Sequence, residues 1–156
     1  MKRLLIVYHT QTGNTESMAR AAYRGASEVA RAEPGGASVD LKRAVESGIN
    51  DVLNCDGLII ATPENFGYMS GMIKDFFDRT FYPAEPYQLS IPYGLVVSAG
   101  NDGTGAVREI DRIMRGYPMR KVMEPIIARN GVSEADRAAC AEAGEAMMTA
   151  LSMGAF

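Results

Sequence analysis

The stretch Tyr8-His9-Thr10-Gln11-Thr12-Gly13-Asn14-Thr15-Glu16-Ser17 gathers hydroxyl and amide side chains around one glycine and contains neither Lys nor Arg. Such groups suit one kind of chemistry: holding an oxyanion without a cation. Where a loop enters a helix, free N–H groups and the helix dipole favour negative charge. A glycine at position 13 lets successive N–H groups curl into a nest, and Thr10, Thr12 and Thr15 can donate hydroxyls to the same oxygens. The competing reading is that Thr12 or Asn14 simply caps a helix, a task one Ser or Thr can perform alone.

The elements that must position this loop follow from the hydrophobic pattern. Apolar runs at Leu4–Tyr8, Ser38–Leu41, Leu58–Ala61, Tyr93–Ala99 and Val122–Ala128 read as strands, and three are nearly continuous, as expected where both faces are covered. Helical spacing links Thr15, Met18, Ala19, Ala22, Ala26, Val29 and Ala30, ending at Pro34-Gly35-Gly36. Further helices are expected at 51–54, around Ile73–Thr80, around Val107–Met114 and over Glu134–Leu151. Strands alternating with helices predict an α/β, three-layer sandwich around a five-stranded parallel sheet, as a single domain spanning 1–156. In such a sheet, ligands bind beyond the carboxyl ends of the strands. Two more loops there are rich in Gly and small polar groups: Thr62-Pro63-Glu64-Asn65-Phe66-Gly67-Tyr68-Met69-Ser70-Gly71 and Ala99-Gly100-Asn101-Asp102-Gly103-Thr104-Gly105.

Composition narrows the partners. Sixteen basic and nineteen acidic residues leave a net charge of −3, so no basic footprint is offered to nucleic acid or anionic lipid. No stretch approaches the ~18 apolar residues of a membrane span, and the opening residues lack a secretory h-region, so a cytoplasmic location is expected. Cys55 and Cys140 have no Cys-x-x-Cys spacing and fit reduced thiols. Residue types exclude several nucleotide-handling schemes. There is no P-loop Lys, and Gly100-Asn101-Asp102-Gly103-Thr104-Gly105 has the wrong spacing for a dinucleotide fingerprint. A receiver domain needs acids where His9 and Thr62-Pro63 stand, and a small tyrosine phosphatase needs Cys and Arg in the first loop.

Thr10-Gln11-Thr12-Gly13-Asn14-Thr15 resembles the [T/S]-x-T-G-x-T phosphate loop of the flavodoxin family, and Thr62 through Arg79 is similar to the corresponding segment of flavodoxin-like NAD(P)H-dependent FMN and quinone reductases. The resemblance implies a noncovalent FMN and the strand order 2-1-3-4-5. It implies that Thr10, Gln11, Thr12, Gly13, Asn14 and Thr15 surround the 5′-phosphate. The isoalloxazine would lie against Pro63, Glu64, Asn65, Phe66, Gly67 and Tyr68 on one side and Ser98, Gly100, Asn101, Asp102 and Gly103 on the other. Phe66 and Tyr68 would supply rings and Gly67 a close peptide, unless the two aromatics plug the core instead. Glu64 and Asp102 are expected to be solvated carboxylates, and His9, the only histidine, a structural residue.

The function implied is an FMN-dependent oxidoreductase that takes electrons from NAD(P)H and passes them to a quinone, flavin or other small acceptor, with no catalytic side chain and no metal. The alternative is a flavodoxin-type electron carrier between protein partners; a flavin-free interaction module is the third class. Tryptophan is absent and the flavin loops carry one acid each, which counts against a carrier with an acidic docking rim. The expected partner is a small molecule, with room for a homo-oligomer. Against the larger quinone reductases, 122–130 reads as one uninterrupted strand-length segment without their long insertion.

Overall fold

The computed structural model describes residues 1–156. In chain order the elements are β1 Lys2–Tyr8, α1 Asn14–Ala32, β2 Ala37–Arg43, α2 Ile49–Leu53, β3 Gly57–Asn65, β4 Tyr68–Met69, α3 Gly71–Ala84, β5 Pro92–Ala99, α4 Thr104–Met114, β6 Arg120–Lys121, β7 Ile126–Arg129 and α5 Glu134–Ser152. The sheet runs β2-β1-β3-β5-β6, with β7 also on β5 and β4 antiparallel to β3. With β6 and β7 taken as two pieces of one edge strand and β4 as a hairpin added to β3, this is the flavodoxin-like α/β arrangement expected from sequence. The strand count is seven rather than five.

The strands β1, β3 and β5 lie centrally and are buried over most of their length, because consecutive side chains point to opposite, equally covered faces. Leu5, Val7, Leu58, Ile60 and Leu95 pack with Ile73, Phe76 and Phe77 of α3 and Ile110 and Met114 of α4. On the other face, Leu4, Ile6, Ile59 and Val96 pack with Met18, Ala22 and Ala26 of α1 and Cys140, Met147, Met148 and Leu151 of α5. Each fully buried large apolar side chain contributes about 1.5–3 kcal/mol. No helix is long and apolar enough to cross a membrane.

The edge strand corrects the expectation of one run from Val122 to Ala128. Arg120 and Lys121 pair with Pro92 and Tyr93, whereas Ile126 pairs with Val96, so residues 122–125 face only Gly94 and Leu95. Two extra residues therefore bulge out, and physical reasons sit on both sides. Pro125 has no N–H to give to a ladder. The Met123 side chain covers Gly94, where an added Cβ would lie 2.3 Å from its sulfur.

Candidate functional site

The phosphate-loop candidate lies between β1 and α1. Gly13 takes the N-cap position with φ of 97°, and no side chain caps the helix. Neither Thr12 nor Asn14 performs the capping role that was the alternative reading. Instead Thr10 Oγ1 accepts the Gly13 N–H at 3.0 Å, which curls the loop. Thr15 is buried, and its Oγ1 lies 2.7 Å from Ser98 Oγ, tying the loop to the carboxyl end of β5. Thr12 is exposed and makes no hydrogen bond within the chain. The amino end of α1 thus presents main-chain N–H groups and a free hydroxyl to an open cavity, with no cation among them.

That cavity, about 230 Å³, is lined by Gln11, Thr12, Asn14, Thr15, Pro63, Asn65, Ser98, Ala99, Gly100, Asn130 and Gly131. The three loops singled out by sequence do meet there. Asn130 and Gly131 were missed; the signal was an Asn-Gly turn pair directly after a strand. Both have positive φ, 58° and 103°, and the Asn130 N–H donates to Ala99 O at 2.9 Å, which brings this fourth loop to the cavity wall. Thr10, Gly13, Glu64, Phe66, Gly67, Tyr68, Asn101, Asp102 and Gly103 stand outside the lining.

Several of these have other places. β3 and β4 form a hairpin whose two-residue turn is Phe66-Gly67, with φ of 54° and 71°; this sign pattern is that of a type I′ turn. A bulky residue at positive φ is a strained outlier. Phe66 is fully exposed, at 107% of its reference area, so it does not plug the core, while Tyr68 packs against the α3 and α4 layer. The hairpin base is pinned by buried Thr62, whose Oγ1 accepts the Ser70 N–H at 3.0 Å and donates to Pro63 O at 2.8 Å. Ser70 in turn caps α3 by accepting the Ile73 N–H.

Asp102 accepts both the N–H and the hydroxyl of Thr104, which hold its carboxyl below the usual range and make it the turn that starts α4. Arg129 donates from Nη2 to the Asp102 carbonyl, 2.9 Å away. Gly103, with φ of 76°, has Ile127 against it. The His9 main chain donates to Ala61 O, and burial, helped by Arg43, lowers its imidazole pKa. Burial pushes the Cys55 and Cys140 thiols up to about 12, so neither is a thiolate nucleophile at neutral pH. A second cavity of about 360 Å³ opens between α3 and α4, with Tyr68, Phe77, Phe81 and Ile113 along it; it does not reach the loop between β1 and α1.

Residues 1–131 match the profile of the family described as NADPH-dependent FMN reductase. The chain is similar to an NAD(P)H dehydrogenase (quinone) of Acidithiobacillus ferrooxidans, 34% identical over 100 residues, covering 51% of this chain and 48% of that one. It is also similar to a flavodoxin of Aquifex aeolicus, 40% identical over 78 residues, covering 50% of this chain and 40% of the relative. In both cases the match spans less than half of the relative's own length. A solved flavodoxin from the domain Archaea superposes with a TM-score of 0.80 at 19% identity, over 96% of this chain and 98% of that one, a likeness of fold.

Proposed function

This chain belongs to the NADPH-dependent FMN reductase family, and on that premise we propose that it binds FMN noncovalently and transfers electrons from NAD(P)H to a quinone, a flavin or another small acceptor. The observation that carries the reading is the uncapped amino end of α1, where hydroxyl, amide and main-chain donors converge on a cavity without a cation. A phosphate monoester fits that donor set. The cavity is smaller than the roughly 300 Å³ at which pockets begin to enclose a drug-sized ligand. Its size suits a phosphate and the chain attached to it, with a ring left at the mouth.

In this reading Thr10, Gln11, Thr12, Gly13, Asn14 and Thr15 hold the 5′-phosphate, Thr10 by shaping the loop and Thr12 by direct donation. Pro63, Glu64, Asn65, Phe66, Gly67 and Tyr68 flank the ring on the hairpin side, and Ser98, Gly100, Asn101, Asp102 and Gly103 on the other, with Asn130 and Gly131 closing the cavity behind. FMN, when bound, supplies the redox chemistry. The side chains orient it and leave an approach open: Gly100 and Asn101 are exposed and small, so a nicotinamide or quinone ring meets no bulky side chain there. The net exchange takes two electrons and a proton from NAD(P)H and a second proton from solvent, so that a quinone leaves as its quinol. No side chain is a nucleophile or metal ligand in this scheme.

Titration with FMN, FAD and riboflavin tests the reading. FMN should bind most tightly, and riboflavin binding equally well would remove the phosphate-loop assignment. A second reading, an electron carrier between proteins, draws support from the similarity to the Aquifex aeolicus flavodoxin. It requires that neither NADH nor NADPH reduce the loaded protein while dithionite does.

A further inference from the structure

Gly105 is the second residue of α4, and a Cβ built on it would lie 2.1 Å from the Gly67 carbonyl oxygen and 2.8 Å from its carbonyl carbon. The Phe66-Gly67 turn is therefore seated on bare helix backbone. Seen from the other side, nothing lies within 4 Å of a Cβ built on Gly67, so the constraint belongs to the helix and not to the turn. Glycine is a poorer helix former than alanine. Gly105 has no positive φ to explain it, and Asp102 already starts the helix through Thr104. The close approach of the hairpin is what accounts for it.

The same turn holds Phe66, strained at positive φ and fully exposed, next to Asn65, which lines the cavity. Strained residues held by surrounding structure are concentrated at ligand clamps. We infer that Gly105 is a positioning residue for the flavin ring: by letting the hairpin turn close onto α4, it sets where Phe66 and Gly67 stand beside the cavity, without touching the ligand itself. The inference rests on the FMN reading above. It has a distinctive consequence, because the phosphate donors of α1 are untouched by a change on α4. A larger residue at 105 displaces contacts to the ring, which FMN and riboflavin share, and leaves those to the phosphate, which only FMN has.

The test compares the wild-type protein, Gly105→Ala and Gly144→Ala. The last introduces an equal clash elsewhere: a Cβ at 144 would lie 2.0 Å from Ala22 O, where α5 meets α1, and neither residue lines the cavity. Dissociation constants for FMN and riboflavin come from quenching of flavin fluorescence, and thermal unfolding of the flavin-free proteins is followed in parallel. Gly105→Ala should weaken both flavins by the same factor, about tenfold or more for an overpacked contact. Gly144→Ala should lower the melting temperature and leave both constants unchanged. Wild-type affinity in Gly105→Ala, a loss confined to FMN, or an equal loss in Gly144→Ala would each overturn the inference. Should Gly105→Ala not fold, Gly67→Ala takes its place; it strains the turn through its φ of 71° while meeting no neighbour, and the same equal loss is expected. If wild-type protein binds neither flavin, the FMN reading itself fails and the inference falls with it.

Discussion

Thr12 and Thr15 stand three residues apart, yet only Thr15 has a partner in the chain, the Ser98 hydroxyl at 2.7 Å. Replacing Thr12 by Val removes a donor to a charged group, a loss of about 1.5–3 kcal/mol or roughly ten- to a hundred-fold in FMN affinity, with the flavin-free melting temperature unchanged. Thr15→Val should cost both, because it also strands the Ser98 hydroxyl; calorimetric melting with and without FMN separates the two cases. Equal loss of flavin-free stability in both variants would make both residues scaffold. Phe66 is a second residue with a double signature. Asn tolerates positive φ, so Phe66→Asn should stabilise the flavin-free protein by about 1 kcal/mol, while loss of the aromatic face weakens FMN about tenfold. Urea unfolding and flavin titration measure the two effects, and unchanged affinity would detach Phe66 from the ring. Most of the cavity wall was legible in the sequence because a hydroxyl-rich loop after an apolar run is a local pattern. Asn130 and Gly131 were not, because what makes them part of the cavity is a main-chain bond to Ala99, thirty-one residues earlier, and only the folded sheet brings the two together.

Among the elements, α1 and α5 cross with glycine on each side: a Cβ at Gly25 would lie 2.0 Å from Ala141 O, as one at Gly144 would from Ala22 O. Gly25→Ala improves helix propensity by up to about 1 kcal/mol yet overpacks a backbone contact at a cost of roughly 1–3 kcal/mol. The net prediction is a lower urea midpoint, and a higher one would show that the helices can separate freely. Helix α1 carries the proposed phosphate site at its amino end, which the Thr15–Ser98 hydrogen bond ties to β5, away from the crossing with α5. The buried strands and amphipathic helices were legible, since their periodicity is set by which faces are covered. The two-residue strand β4 and the break between β6 and β7 were not, because the first depends on a turn with positive φ at Phe66 and the second on Met123 lying over Gly94, a residue on another strand.

At the scale of the whole molecule, burial couples the fold to pH in two directions. The Cys55 and Cys140 thiols keep their protons up to about pH 12 in the folded chain, against 9.0 when exposed. The unfolded chain releases those protons first, so stability is intact below about pH 9 and declines as pH rises towards 12, joined in the upper part by Tyr117, whose phenol is pushed up to about 12. His9 works oppositely: its lowered pKa means the unfolded chain takes up the proton first, and stability falls as pH drops below about 6.5. Urea midpoints of wild type and His9→Gln across pH 5–8 should diverge on the acid side, and parallel curves would contradict the assignment. The sheet, the hairpin seated on α4 and the uncapped helix together serve one claim, that this molecule holds FMN with a face open to small redox partners. The most direct measurement is anaerobic stopped-flow absorbance of FMN-loaded protein mixed with NADH or NADPH, followed by a benzoquinone. The account predicts that the flavin band bleaches within seconds with at least one nucleotide and returns on adding the quinone, over repeated cycles. A band that neither nucleotide bleaches, in protein that dithionite reduces readily, would contradict it and leave the electron-carrier reading in its place.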